Sequence, residues 1–522
     1  MHKVKLYDTT LRDGAQGEGI SYSVLDKISI TRELDLFGVH YIEGGWPGSN
    51  PKDMEFFLQM KKKELKNAKL TAFSMTRRVD AKAEDDISLK AILKSGATVV
   101  TIVGKTWDLH VKEVLKVGLD ENIKMIKDTV EFIKNSGLTV FYDAEHFFDA
   151  WKNNKDYSLK CLNAAVDAGA QAVCLCDTNG GTITSEISRV VAEVRRHFKD
   201  IMVGIHCHND AGLAVANSIA AAEAGADMVQ GTINGYGERC GNADLIPIIA
   251  NLKLKLGINC VPDSALKNLT HLSHFISEIS NMRTKNDQPF VGESAFAHKG
   301  GMHINAVMKE PKTYEHIDPT CVGNHRRILV SELGGKTGIL LRAKALEFDL
   351  SKEDPKTKKI LELVQKLEHQ GYHFEAAEAS FELLMKRALN KYKKFFELEG
   401  FRVVIEKLSD KKITSEAIIK LKVNGIKEHT AADGDGPVNA LDNALRKALK
   451  EFYPTLSKMH LSDFKVRVLE GKEGTAAKVR VLIQSQDEIN AWNTIGVHEN
   501  IIEASWEALV DSIEYKLLKD SP

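Results

Sequence analysis

"DAGAQAVCLCDTNGG", residues 167–181, holds one complete structural unit in fifteen letters. A helical pattern closes at Gly169, the residue type that most easily adopts the left-handed turn after a helix. The apolar run after it, Ala172 to Cys176, has the length of a buried strand. It then empties into Asp177, Thr178, Asn179 and two glycines, a polar mouth rather than another apolar face. The same order of glycine, strand and polar end recurs along the first half of the chain, in "LFGVHYIE" (36–43), "KSGATVV" (94–100), "NSGLTVF" (135–141) and "EAGADMV" (223–229).

Eight apolar runs fit this pattern: 3–8, 40–45, 70–74, 98–104, 138–145, 172–178, 201–208 and 227–234. Amphipathic stretches separate them, among them Val24–Phe37, Asp120–Asn135, Thr184–Phe198 and Leu213–Ala224. Eight strand–helix units of this length predict an α/β protein whose first 258 residues form a (β/α)8 barrel. From 259 to 395 the pattern turns mostly helical, with a glycine- and histidine-rich interruption at 290–319, and the charged stretch 351–389 reads as surface helices. Residues 396–522 read as an α+β domain of two similar halves, each with three strands and a helix beginning near Pro437 or Asn500.

Composition narrows the function classes. With 522 residues, 43% of them hydrophobic and 27% charged, the chain is an ordinary multidomain globular protein. A formal net charge of −1 gives no electrostatic case for nucleic acid or an anionic membrane surface. No apolar run reaches the ~20 residues of a spanning helix, and the first residues lack the pattern of a secretory signal. Seven scattered cysteines, with Cys174 and Cys176 spaced as CxC, suggest buried thiols and a reducing, cytoplasmic setting.

In a barrel of this type the carboxyl ends of the strands share one open face. There the sequence gathers Arg12 and Asp13 in "DTTLRDGAQGEG" (8–19), Glu43, Asp143 and Glu145, Thr178, and the pair His206 and His208 in "GIHCHND" (204–210). Residues i and i+2 of a strand project to the same side, so the two imidazoles point together. Either they are hydrogen-bonded core histidines or they begin a metal site, with Asp13 as the best oxygen donor and Asn242 as a further oxygen or a supporting contact. Zinc, manganese, magnesium and non-haem iron all suit that set. Arg12 reads as an ion-pair partner of an acid such as Glu43, as a group stabilising an oxyanion, or as both. Glu145 is a candidate acid or base, and "GDGP" (434–437) reads as a turn into a helix.

Three motifs in order, "DTTLRDGAQGEG", "HCHND" and "NGYGERCGNADL" (234–245), resemble the acyltransferase–lyase barrel family that includes 2-isopropylmalate, homocitrate and citramalate synthases. The resemblance extends over the whole chain, since 396–522 is similar to the regulatory domain of those enzymes. Its motifs "EGGWPGSNPKD", "FYDAEHFFDAW" and "LCDTNGGT" look most like the citramalate-forming branch. The resemblance implies a divalent metal (manganese, magnesium or zinc) held by Asp13, His206 and His208 with Asn242 nearby. It implies pyruvate bound through Thr178, acetyl-CoA as co-substrate, and Arg12 facing the developing alkoxide. Gln16 would meet substrate and coenzyme, Glu145 would be the acid–base carboxylate, and His303 and Tyr314 would add catalytic groups from the segment after the barrel, often delivered to a neighbouring subunit. A homodimer or higher oligomer and inhibition by an amino acid, isoleucine first, are implied as well. The alternatives are a larger 2-oxo acid, as in the 2-isopropylmalate and homocitrate synthases, a lyase acting on a 3-hydroxyacyl-CoA, and a non-catalytic amino-acid sensor.

Overall fold

A computed structural model of the chain describes residues 3–329, 339–341, 343–344, 350–351, 354–407, 413–469 and 477–521. Eight parallel strands close into a barrel in chain order: β1 (Lys5–Asp8), β2 (Tyr41–Gly45), β3 (Lys69–Met75), β4 (Val99–Lys105), β5 (Thr139–Glu145), β6 (Ala172–Asp177), β7 (Met202–Cys207) and β8 (Met228–Gly231). Around them lie α1 (Val24–Phe37), α2 (Pro51–Met60), α3 (Ile87–Ser95), α4 (Leu119–Asn135), α5 (Phe147–Asp167), α6 (Thr184–His197), α7 (Ala214–Glu223) and α8 (Leu245–Leu254). The predicted barrel is therefore present, with each strand within one to three residues of its expected limits.

Local chemistry sets the joints. Ser23 and Asp26 form a reciprocal capping box at the start of α1. The helix ends at Gly38 with φ of 94°, and a Cβ there would lie 2.8 Å from the Pro262 ring, so both conformation and space require glycine. Outward-facing strand residues such as Leu6, Ile42, Val100, Val173 and Ile205 pack against the helices in one continuous core. Inward-facing ones fill the lower lumen: Tyr7, Tyr41, Val99, Phe141, Ala172, Cys174, Cys176 and Met228. The two cysteines are thus packing groups in the lumen, and burial keeps the Cys174 thiol protonated. That layer is the floor on which the polar mouth stands.

The chain divides into two compact units, residues 1–296 with 317–326 and residues 297–316 with 327–522. Helix α9 (Leu269–Ile279) belongs to the first and packs Leu269, Leu272 and Ile276 into its core. In the second, β9 (Ala297–His298) pairs with β10 (Arg327–Ile328), next to α10 (Gly301–Lys309) in sequence. Helices α11 (Pro355–His369) and α12 (Glu378–Ala388) come next. The second of these departs from the expected surface helix: Phe381, Leu383 and Met385 are buried in clusters of the second unit or between its elements. A helix rich in charge at its ends can still bury its middle.

The repeat is plain in the second unit. Strands β11 (Glu397–Glu406), β12 (Thr414–Val423) and β13 (Ile426–Gly434) form one antiparallel sheet, followed by α13 (Pro437–Leu449). Strands β14 (His460–Val468), β15 (Val479–Gln486) and β16 (Ala491–His498) form a second, followed by α14 (Ile501–Asp520). Alternate residues of β12 (Ala417, Ile419, Leu421, Val423) join Leu441 and Leu445 of α13 and Leu509 and Ile513 of α14 in one core. Pro437 occupies the first turn of α13, as the "GDGP" reading expects. No helix among the described residues is long and apolar enough to cross a membrane.

Candidate active site

His206 is the last inward-facing residue of β7, and His208 lies one residue beyond the strand. Their ring centroids lie 5.2 Å apart, so the expected pairing on one side is observed. His208 is held by an isolated bridge to Asn242, on the loop that folds back after β8. That return needs Gly241: its φ is 89°, and a Cβ would sit 2.0 Å from the Gly235 carbonyl oxygen. Asp13 arrives from the loop after β1. Its Oδ2 lies 3.4 Å from His206 Nε2, which is itself 3.4 Å from His208 Nε2. One ligand atom from each of the three falls within 4.8 Å of the others, and all three residues are buried.

The protonation pattern suits a cation. Gln230 Oε1 sits 3.0 Å from His206 Nδ1, which makes that nitrogen the donor and leaves Nε2 with its lone pair toward Asp13. Burial lowers the pKa of His206 and takes that of His208 to about 4, so both rings are neutral near pH 7. Burial works against the Asp13 charge, but Arg12 and then the two histidines outweigh it and hold its pKa below the ordinary value. His208 Nδ1 and Asn242 Oδ1 are buried without a hydrogen-bond partner among the described residues. Two ring nitrogens and one carboxylate at one point, beside Asn242 with its unpartnered amide oxygen, fit a divalent cation better than a set of satisfied core histidines.

Arg12 meets its expected partner Glu43 and also approaches Asp13. Its Nε donates to Glu43 Oε1 at 2.5 Å, its terminal nitrogen lies 3.4 Å from Asp13 Oδ2, and its guanidinium covers the Phe73 ring at 4.0 Å. Glu43, fully buried on β2, also accepts from Thr9 Oγ1 at 2.6 Å and from the Tyr7 hydroxyl. Burial alone would lower the Arg12 pKa; the charges of Glu43 and Asp13 raise it instead. Asp143 stands deeper in the lumen, where burial and the charge of Glu43 push it up to about 8.

Glu145, two residues farther along β5, is paired with Lys105 of β4 at 2.5 Å. His110 and His146 gather beside it, with one ligand-type atom from each within 4.8 Å of the others. Trp107 stacks on His110 at a centroid distance of 5.4 Å. His146 has φ of 53°, and its N–H donates to Thr178 Oγ1 at 2.8 Å. Arg239 clamps the same loop by donating to the Thr178 carbonyl and to Asp210. Gln16 is exposed on the short 3-10 turn after Asp13.

His303 and Tyr314 lie in the second unit, both exposed, with their rings stacked at 4.1 Å. The structure thus brings Arg12, Asp13, His206, His208 and Asn242 together, sets Glu145 beside Lys105, and puts His303 against Tyr314. Sequence reasoning missed Gln230, Lys105 and His110. Gln230 had a usable signal: it lies inside the apolar run 227–234, a position where an amide needs a partner.

Residues 3–276 match the HMGL-like family, 290–371 the homocitrate synthase post-HMGL domain-like family, and 375–517 the LeuA allosteric (dimerisation) domain. The (R)-citramalate synthase of Aquifex aeolicus is 54% identical over 99% of this chain and 98% of its own. That of Geobacter sulfurreducens is 54% identical over the same shares. The chain belongs to the (R)-citramalate synthase family. The 2-isopropylmalate synthase of Methanocaldococcus jannaschii is more distant, at 32% identity over 99% of this chain and 95% of its own. Members of the family are acyltransferases, and their barrel, post-barrel segment and C-terminal domain occur here in the same order.

Proposed function

We propose that the chain condenses acetyl-CoA with pyruvate and hydrolyses the thioester, giving (R)-citramalate and CoA. The observation that carries this reading is 54% identity, end to end, to relatives named for that product. The polar residues gathered at the barrel mouth support it. Asp13, His206 and His208, with Asn242, would hold a divalent metal of the manganese, magnesium or zinc type. When bound, that metal supplies Lewis-acid polarisation of a 2-oxo acid.

The remaining work falls to the chain's own groups. The Thr178 hydroxyl donates to the substrate carboxylate. Arg12, kept in place by Glu43 and Phe73, faces the oxygen on which negative charge develops. Glu145 takes a proton from the acetyl methyl, and the carbanion attacks the keto carbon. Gln16 contacts substrate and coenzyme, while His303 and Tyr314, in a subunit of a homodimer, complete the acid–base set. Water then cleaves the thioester, which draws the condensation forward.

The domain limits expected from sequence, 1–258, 259–395 and 396–522, correspond in this reading to catalysis, site completion and regulation. The C-terminal repeat pairs with its twin and binds an amino-acid effector, isoleucine first. The site is cytoplasmic, in keeping with seven cysteines none of which is paired in a disulfide.

The deciding experiment measures CoA release from acetyl-CoA with pyruvate, 2-oxoisovalerate and 2-oxoglutarate, with and without isoleucine, before and after chelation. The expected result is the highest kcat/KM with pyruvate, inhibition by isoleucine, and loss of turnover with the metal. A higher kcat/KM with 2-oxoisovalerate overturns the substrate. Turnover that survives both chelation and His206→Ala overturns the metal assignment.

A further inference from the structure

Behind His206 stands a pair of side chains with no part in substrate chemistry. Gln230 and His206 are direct neighbours across the β7–β8 ladder, and Asp143 enters the same lumen from β5. Gln230 is fully buried and Asp143 nearly so. The Gln230 side-chain amide makes two contacts of opposite sense. Its Nε2 donates to Asp143 Oδ1 at 3.1 Å, and its Oε1 faces His206 Nδ1 at 3.0 Å.

Those contacts set one polarity for the amide. Asp143 Oδ1 accepts from the amide nitrogen, so the nitrogen end of Gln230 is turned toward Asp143. Once Nε2 is so committed, Oε1 must face His206. An amide oxygen only accepts, so the proton of the neutral imidazole sits on Nδ1 and the lone pair on Nε2. That lone pair is the one 3.4 Å from Asp13 Oδ2. Rotating Gln230 by half a turn would aim an N–H at Nδ1, move the imidazole proton to Nε2 and point it into the ligand cluster.

We infer that Asp143 and Gln230 form a polarity relay that selects the metal-competent tautomer of His206, and that both are positioning residues. The inference rests on the proposed metal role of Asp13, His206 and His208. The relay differs from a plain packing role because it depends on the direction of hydrogen bonds and not on volume. Exchanging the pair tests that difference. In the double variant Asp143→Asn with Gln230→Glu, the asparagine amide donates to the glutamate, and the glutamate accepts from His206 Nδ1–H. Size, formal charge and the direction of the bond to His206 are retained, while the bond between positions 143 and 230 is reversed.

Metal-free full-length chain and its variants are titrated with Co2+, read by calorimetry and by the visible absorption of the bound ion. Gln230→Leu is expected to bind roughly 10- to 100-fold more weakly, the usual loss when the partner of a ligating histidine is removed. Asp143→Asn alone leaves two amides that can pair in either sense; it is expected to bind more weakly than wild type and with an altered spectrum. The double variant is expected to recover affinity and spectrum relative to Asp143→Asn. Wild-type binding by Gln230→Leu, or a double variant no better than Asp143→Asn, overturns the relay. Should Gln230→Leu fail to fold, the two isosteric variants decide the matter alone. If wild type binds Co2+ and His206→Ala does not, the metal role stands whatever the relay's fate; if wild type binds none, both readings fall.

Discussion

Replacing Glu43 by Gln removes one charge and almost no volume, so its effects report on the charge itself. Glu43 is fully buried and accepts from the Tyr7 hydroxyl, Thr9 Oγ1 and Arg12 Nε. Breaking a buried ion pair from one side costs about 3–5 kcal/mol. Arg12 keeps its place over Phe73 at 4.0 Å and its approach to Asp13, which puts the cost at the lower end. A loss of about 3 kcal/mol corresponds to a fall in Tm of roughly 6–12 °C for a large domain. The second consequence is at Asp13. Freed from Glu43, Arg12 can close from 3.4 Å to an ordinary contact of about 2.8 Å on Asp13 Oδ2. With an effective dielectric of about 20, that deepens their attraction by about 1 kcal/mol, or about fivefold in affinity for a competing cation. Thermal melts of the metal-free chain and Co2+ titration read the two effects separately. A variant that melts within about 2 °C of wild type and binds Co2+ unchanged would refute the reasoning.

Two further outcomes are expected. Thr178→Val removes both the acceptor for the His146 N–H and the hydroxyl donor; a hydrogen bond to a charged group is worth about 1.5–3 kcal/mol, so KM for pyruvate should rise roughly 10- to 100-fold while Thr178→Ser stays near wild type. An unchanged KM in the valine variant would remove Thr178 from substrate binding. Asp8→Asn tests pH dependence. Burial raises Asp8 from 3.8 to about 7, so between about pH 4 and 7 the folded chain holds a proton that the unfolded chain has lost. Stability from this group is therefore full below pH 4 and falls as pH rises, by about 4 kcal/mol in total. Denaturation curves should show Asp8→Asn gaining on wild type between pH 5 and pH 8; parallel losses across that range would contradict the burial effect.

Much of the fold is legible in the letters. Glycines such as Gly169 and Gly225 mark where helices stop, and strand ends carry polar residues, so a barrel and its open face emerge from local chemistry. The pair His206 and His208 is visible because a strand has period two. Partners across the barrel are another matter. Arg12 could be matched to Glu43 because both stand at strand ends of the same mouth, but nothing in the spacing of 105 and 145 says that Lys105 meets Glu145, or that Gln230 bridges Asp143 and His206, because those meetings depend on strand register. Helix α12 departs from its expected surface position for a related reason. Its charged ends dominate the sequence pattern, while burial of Phe381 and Met385 is decided by what packs around it.

The same lumen explains why the ligand cluster does not collapse onto its own counter-ion. Asp13, Glu43 and Asp143 face one guanidinium, Arg12, and the geometry divides that charge unequally. Glu43 takes Arg12 Nε at hydrogen-bond distance, whereas Asp13 is left at 3.4 Å with an oxygen still turned to His206. Had Arg12 bonded Asp13 in a two-pronged pair, the carboxylate would be spent and a cation would have to displace a buried guanidinium. Glu43 therefore does more than anchor Arg12: by competing for it, Glu43 leaves Asp13 ionised yet available. Asp143 has no such partner and answers burial by holding its proton more tightly, so its contribution is the direction of a hydrogen bond and not a charge. The three carboxyl groups around Arg12 thus serve three purposes, separated by how closely each approaches its guanidinium.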